Sequence, residues 1–365
     1  MQRLLLGFLI LLVASGGAYA WSVCRSDTPS SSSVAGRDSA DDAFAWGVYT
    51  NAYALSDHYD DPFRPEGVAE QVAVLKQLGV RYVRTSYEWT LPEGELDAVN
   101  DAWLNGLTEA GFRPLLVLDI PLKTYENAYN RGYAIAKRYP AITHFQLLNE
   151  LSGIVKPGRS GLAEDDYREA EYPQLLAVVR GLSEGIHAAN PNAQRVVSAN
   201  WLGVGIIDRL IRDGVAFEIV GWNWFSDMGA DPAHPRTEGG AAIDIPAHFV
   251  AQGKRFWVVE ANRHGGSVGA PAGVAEQATY LEGFARRAYA NPNISGFFVF
   301  KLTNGQDAGS REMAWGIVDT KSVPDGATQT ADGRTVGFGE LKPAGRAYQS
   351  VIEQTARGGL KRPAK

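Results

Sequence analysis

Short apolar runs alternate with longer amphipathic segments from Phe44 to the end of the chain. Apolar runs of four to eight residues are typical of strands, whereas apolar positions three or four residues apart are typical of helices. Leu175, Val179 and Leu182 form one such helical stripe. Eight strands are predicted, over Ala45–Tyr49, Tyr82–Thr85, Leu115–Asp119, His144–Leu148, Arg195–Ala199, Glu218–Trp222, Phe256–Val259 and Gly296–Phe300.

A glycine or a proline precedes seven of the eight predicted strands. Glycine ends a helix by adopting a left-handed conformation, and proline cannot continue one. Their spacing fits βα units, which need roughly thirty residues or more. Eight such units predict a single (β/α)8 TIM barrel in the α/β class. The seven markers are Gly79, Gly111, Pro140, Pro191, Gly214, Gly253 and Pro292.

A doubly wound open sheet is the alternative architecture. Its dinucleotide-binding form places G-x-G-x-x-G directly after the first strand. The chain has Gly203-Val204-Gly205, which comes late and lacks the third glycine. The pattern therefore favours the barrel.

The amino terminus has the features of a signal peptide over residues 1–20. Arg3 precedes an apolar run that is too short to span a bilayer easily, and Ala18-Tyr19-Ala20 fits a cleavage site. An uncleaved anchor is one alternative, and lipidation at Cys24 is another, although Val23 departs from the lipoprotein motif. Residues 21–41 are serine-rich and are predicted to form a flexible linker, followed by the barrel over 42–358 and a basic tail over 359–365.

The net charge and the cysteine count exclude several classes of function. The formal net charge of −6 disfavours nucleic-acid binding, because phosphate contacts need a basic surface. The single cysteine cannot form an internal disulfide or a cysteine metal cage. His264 has no second histidine at ligand spacing, so neither a metal nor a cofactor is expected.

Two glutamates directly follow predicted strands. Strand four leads into Asn149-Glu150 and strand seven into Glu260. The functional sites of (β/α)8 barrels lie at the carboxyl ends of the strands. A carboxylate beside a buried strand is costly unless its charge is paired or used. A pair of carboxylates facing each other across a barrel mouth is the apparatus for cleaving a glycosidic bond.

Three further features accompany these glutamates: Arg84 at the end of strand two, the segment 314–319 (AWGIVD), and Leu341-Lys342-Pro343-Ala344 before the last helix. With them, the chain from Phe44 to about Gln354 resembles the retaining glycoside hydrolases of clan A, the 4/7 superfamily of (β/α)8 enzymes. Within that clan it looks most like the bacterial branch associated with exopolysaccharide turnover.

This resemblance implies a role for each matching residue. Glu150 would be the general acid/base, Glu260 the nucleophile, Asn149 the contact to the sugar 2-hydroxyl, and Arg84 the support of the nucleophile. In a retaining mechanism the two carboxyl groups lie about 5–5.5 Å apart, so the charge of one raises the proton affinity of the other. Arginine beside Glu260 would decide which carboxyl stays ionised.

The chain departs from the clan pattern after strand six. Clan members commonly have a histidine and a tyrosine where this chain has Asn223 and Phe225. The departure puts the tyrosine hydroxyl near the nucleophile in doubt, and Asn223 is a candidate replacement donor.

Other side chains after strands are candidate substrate contacts. Asp119 and His264 could hydrogen-bond to a sugar, and sugar rings stack their apolar faces on aromatic rings. Trp257, within strand seven, is instead expected to point towards the helices if Glu260 points into the mouth. The candidate aromatic platforms are Trp89, Trp201, Trp222, Trp224 and Trp315.

The sequence thus predicts an exported retaining β-glycosidase, monomeric, that hydrolyses a polysaccharide or oligosaccharide by double displacement without metal or cofactor. Aromatic residues after several strands favour endo-acting cleavage. Two alternatives stay open: a non-catalytic carbohydrate-binding barrel, and a transglycosylase that uses the same two glutamates.

Overall fold

The computed structural model describes residues 44–51, 65–89, 93–237, 243–263, 271–304, 314–322 and 336–363. The predicted signal peptide, the linker and Cys24 lie outside the described residues, as does His264. No helix within the described ranges is long and apolar enough to cross a membrane.

Eight parallel strands close into a barrel, which confirms the predicted fold. Each barrel strand pairs with its neighbours in chain order, and the last pairs with the first. All eight predicted strands are present: the first has the predicted bounds, and the other seven have shifted ends. The fourth stops before Leu148, which has a left-handed φ of 64°. The barrel strands are β1 Ala45–Tyr49, β2 Tyr82–Ser86, β3 Arg113–Val117, β4 His144–Gln146, β5 Gln194–Asn200, β6 Ile219–Phe225, β9 Arg255–Asn262 and β10 Gly296–Val299.

Helices follow the strands, as the amphipathic stripes predict. Gly79, Gly111, Gly214 and Gly253 all have positive φ between 75° and 87°, so each ends its helix in the left-handed conformation that glycine allows. The helices are α1 Pro65–Leu78, α2 Glu93–Glu109, α3 Tyr125–Arg138, α4 Tyr172–Ala189, α5 Val204–Arg212, α6 Ile245–Ala251, α7 Pro271–Ala290 and α8 Pro343–Ala356.

Two small antiparallel hairpins were not predicted. The first pairs β7 Gly229–Asp231 with β8 His234–Pro235, and the second pairs β11 Val318–Ser322 with β12 Val336–Leu341. The strands of the first hairpin are too short to show an alternating pattern. The predicted basic tail also returns to the barrel, because the Arg362 guanidinium donates to the carbonyl oxygens of Pro292 and Ile294.

The side chains inside the barrel form a core separate from the layer between sheet and helices. Trp257 belongs to the interior, with its ring centroid 5.4 Å from that of Tyr82 and 5.3 Å from that of His144. The prediction that Trp257 faces the helices is therefore wrong. The interior cluster consists of Ala45, Tyr82, Leu115, Val196, Ile219, Trp257, Val259 and Phe298.

A β-bulge in β9 explains this error. Trp222 of β6 pairs with Val258, but the next residue, Asn223, pairs with Glu260, so Val259 is an extra residue in β9. The pairing with β10 is irregular at the same level. Because the extra residue shifts the alternation by one position, Val259 and Glu260 both face the barrel axis. Bulges commonly re-aim a side chain next to a functional site in this way.

Gly47 of β1 makes room for an interior aromatic ring. A Cβ at Gly47 would lie 2.2 Å from the ring of Phe298. We expect Gly47→Ala to lower the free energy of unfolding by about 1–3 kcal/mol, because the ring must leave its packed position. Urea denaturation measures this. The control, Gly283→Ala in α7, meets only the flexible end of Arg287 and should not destabilise the protein; equal stability of the two variants would contradict the prediction.

Candidate active site

Arg84 lies at the centre of the polar network at the carboxyl ends of the strands. Its Nη1 donates to Glu260 Oε1 at 2.6 Å, its Nη2 to Asn149 Oδ1 at 2.9 Å and its Nε to Gln146 Oε1 at 2.8 Å. Arg84 and Glu260 are both buried, with side-chain exposures of 2% and 7%. Three acceptors on three different strands or loops therefore fix one guanidinium, and Glu260 is held by an ion pair shielded from water.

The turn after β4 presents Glu150 in an unusual backbone conformation. Glu150 has φ 47° and lies in the left-handed region, which is rare for residues with a Cβ. Its backbone N–H donates to Ser198 Oγ of β5 at 3.1 Å, and Gln146 Nε2 donates to the same oxygen at 2.9 Å. Such strain is typical of functional positions and needs the surrounding contacts to hold it.

Asn223 connects the Glu150 turn to β6. Its Nδ2 donates to Glu150 Oε1 at 2.9 Å, and its Cα is paired across the sheet with that of Glu260. Asn223 is fully buried, and its Oδ1 has no hydrogen-bond partner among the described residues. The structure thus brings Asn149, Glu150, Asn223, Glu260 and Arg84 together at one rim.

Four aromatic rings pack together beside this network. Phe225 stacks on Trp315 with centroids 4.9 Å apart, and Phe300 lies 4.8 Å from Tyr49 and 5.6 Å from Trp315. The Arg84 guanidinium carbon lies 5.2 Å from the centroid of the Tyr49 ring. Burial raises the pKa of Tyr49, although its bond to Ser86 and the charge of Arg84 oppose the shift. Tyr49 therefore stays protonated beside Arg84.

The structure does not bring all predicted tryptophans to the rim. Trp222 and Trp224 are fully buried and pack in the helix–sheet layer, because alternation on β6 points Asn223 inwards and its neighbours outwards. The prediction that these two offer a surface to sugar is wrong. Trp315 is 7% exposed, and Trp89 after β2 is 40% exposed.

Three residues of the network escaped the sequence-based reasoning: Tyr49, Gln146 and Ser198. Gln146 and Ser198 are polar residues inside buried strands, and both are fully buried. Buried polar groups require partners, so their position within apolar strands was a usable signal. Tyr49 gave no such signal, since tyrosine is common in strands.

Asp119 follows β3 and provides a third carboxyl group at the rim. Desolvation is the main cause that raises the pKa of Asp119, and the negative charge of Glu150 raises it further. The backbone N–H of Asn149 and the charge of Arg84 act in the opposite direction but do not cancel the increase. An acid with a raised pKa binds more protons when folded, so stability is lost as pH rises above about 4.

Asp119→Asn removes this pH-dependent loss. We therefore expect the free energy of unfolding of the variant, relative to the unaltered protein, to be larger at pH 7 than at pH 4. Urea denaturation at both pH values tests the difference. A stability difference that does not change with pH would contradict the raised pKa.

No group of three or more His, Cys, Asp or Glu side chains that could hold a metal ion occurs in the described parts of the chain. The polar atoms of the network bind one another, with Arg84 as the positive charge beside Glu260. The network thus combines the carboxyl groups of Glu150 and Glu260 with one guanidinium and the amides of Asn149 and Asn223.

Fold and site together define a (β/α)8 barrel in which glutamates from the fourth and seventh barrel strands share one rim. Neither a protein-family model nor a curated protein matches the sequence. Solved structures do match the fold.

One of these structures is the family 1 β-glucosidase from Thermotoga maritima, with 14% identity and a TM-score of 0.56 over 85% of this chain and 97% of that chain. A β-glucosidase from Thermotoga maritima in complex with deoxynojirimycin has 14% identity and a TM-score of 0.58, over 85% of this chain and 97% of that chain. Its complex with cyclophellitol gives 13% identity and a TM-score of 0.56, over 86% and 98%. Likeness at this level of identity shows the fold.

Proposed function

We propose that this protein is an exported, retaining β-glycosidase. It cleaves bonds within the chain of a polysaccharide or oligosaccharide, such as an exopolysaccharide, and does so by double displacement. The observation that carries the proposal is the placement of Glu150 and Glu260 in one hydrogen-bonded network, joined through Arg84, Asn149 and Asn223. The β-glucosidases that share the fold support the assignment. Export rests on the predicted signal peptide over residues 1–20.

In the first step, the Glu260 carboxylate attacks the anomeric carbon and the glycosidic bond breaks. The Arg84 ion pair stabilises the negative charge of Glu260 and holds the carboxylate in place through its Oε1. Glu150 gives its proton to the leaving oxygen. Since Asn223 Nδ2 donates to Glu150 Oε1, the proton belongs on Oε2.

In the second step, Glu150 acts as a base. It takes a proton from water, which attacks the anomeric carbon and releases Glu260, so that the product keeps the β configuration. Asn149 assists in both steps. Its described side-chain contacts all use Oδ1, so Nδ2 is the group that would donate to the sugar 2-hydroxyl.

Digestion of a glycan panel, with the anomeric configuration of fresh product followed by proton NMR, tests the proposal. We expect a β-linked glycan to give β product first, followed by slow mutarotation. Product of inverted configuration would reject double displacement. Transfer to an added sugar in place of water would identify a transglycosylase, which uses the same first step.

A further inference from the structure

Trp201 is an exposed aromatic residue at the rim. Among the described residues, the exposed large hydrophobic side chains are Trp89, Tyr125, Tyr133 and Trp201, and only Trp89 and Trp201 lie just beyond a barrel strand. Trp201 follows β5 directly and is 36% exposed. An aromatic surface at the carboxyl end of a barrel strand is in position to meet a bound ligand.

Hydrogen bonds on two sides hold Trp201 in place. Its indole Nε1 donates to the carbonyl oxygen of Arg236 at 3.1 Å, and its own carbonyl accepts from Trp222 Nε1 at 3.0 Å. Its φ of 42° lies in the left-handed region, which is strained for a bulky residue. Because the only polar atom of the side chain is already bonded, Trp201 offers carbon surface to a ligand.

The residues before Trp201 are bonded to the turn that carries Glu150. Ser198 Oγ accepts from the Glu150 N–H at 3.1 Å, and Asn200 Oδ1 accepts from Ser152 Oγ at 2.7 Å. Trp201 is therefore on the side of the cleft where Glu150 lies. In the proposed reaction the leaving oxygen takes its proton from Glu150, so the leaving sugar lies on this side too.

We propose that Trp201 is the stacking platform of a subsite for the leaving-group sugar. The ligand is a pyranose ring, whose C–H face packs on the indole. This inference rests on the proposed function and deepens it: the substrate continues beyond the cleaved bond on the β5 side, as a glycan chain does. The same platform would hold an acceptor sugar when the glycosyl-enzyme is resolved.

Two substrates with the same sugar on the Glu260 side separate a subsite from a structural role. One is the oligosaccharide that the glycan panel identifies, and the other is the matching glycosyl fluoride, whose leaving group is too small to reach Trp201. We expect Trp201→Ala to lower kcat/KM for the oligosaccharide by about 10-fold and to change that for the fluoride by less than about 2-fold. Trp201→Phe keeps a ring and should recover part of the loss.

Tyr133→Ala is the matched control, because Tyr133 is an equally exposed aromatic on α3, away from the strand ends. It should alter neither substrate. Equal losses on both substrates for Trp201→Ala, or no loss on either, would overturn the subsite. If the unaltered protein cleaves neither substrate, the proposed function itself fails and the subsite fails with it, whereas an active protein with an unchanged Trp201→Ala profile refutes only the subsite.

Discussion

Glu260→Gln is expected to lower turnover of the glycan by at least about 1,000-fold, because an amide cannot form the covalent glycosyl intermediate. Glu150→Gln should lower it by about 100- to 10,000-fold through loss of the acid/base. Glutamine at position 260 can still accept the hydrogen bond from Arg84, so the fold should survive. Steady-state kinetics on the oligosaccharide measures both losses.

Glu218→Gln is the matched control. Glu218 lies at the opposite end of the barrel, just before β6, where it accepts from the Arg195 backbone N–H at 2.7 Å. The substitution Glu218→Gln also replaces a carboxylate by an amide, but at a position away from the rim, so turnover should be unaltered. Glycan binding that survives both rim substitutions, in a protein that shows no turnover beforehand, would favour the non-catalytic binding barrel instead.

Arg84→Met should destabilise the protein by about 3–5 kcal/mol, because it leaves the buried Glu260 carboxylate without its arginine. Gln146 and Asn149 lose a donor at the same time. Urea denaturation at pH 7 gives the difference in the free energy of unfolding. A loss below about 1 kcal/mol would show that the ion pair is not the buried interaction we describe.

A second arginine provides the comparison. Arg195 pairs with Glu218, whose side chain is 31% exposed, so Arg195→Met leaves a carboxylate that water can reach and should cost less. In the double variant Arg84→Met/Glu260→Gln no unpaired charge stays buried. Its loss of stability should therefore be smaller than the sum of the two single losses.

Local patterns predicted the fold well. The eight strands are predicted from short apolar runs, and the helix ends from the glycines that follow them. Both signals lie within a short stretch of chain. The meeting of Arg84, Glu150 and Glu260 was also predictable, since the ends of parallel barrel strands share one rim. These predictions need only the order of the elements.

The direction of individual side chains was less predictable. Position near a strand end predicts that Trp222 and Trp224 lie at the rim, whereas alternation with Asn223 points them to the helices. Regular alternation back from Glu260 predicts that Trp257 faces the helices, but one extra residue, Val259, turns its side chain into the barrel. A bulge depends on the pairing of neighbouring strands, which no single stretch of sequence contains.

That extra residue also separates two properties of β9. Below Val259 the strand keeps its regular register with β6, and the packing of Trp257 among the interior rings belongs to this lower stretch. Only Glu260 and the residues that follow it in β9 have the alternation of side chains shifted by one position. If β9 instead continued in regular pairing through Val259, the cylinder would still close but the carboxylate would point into the surrounding helical layer. One irregular pair thus decides whether the scaffold can carry its chemistry, without deciding whether the scaffold forms.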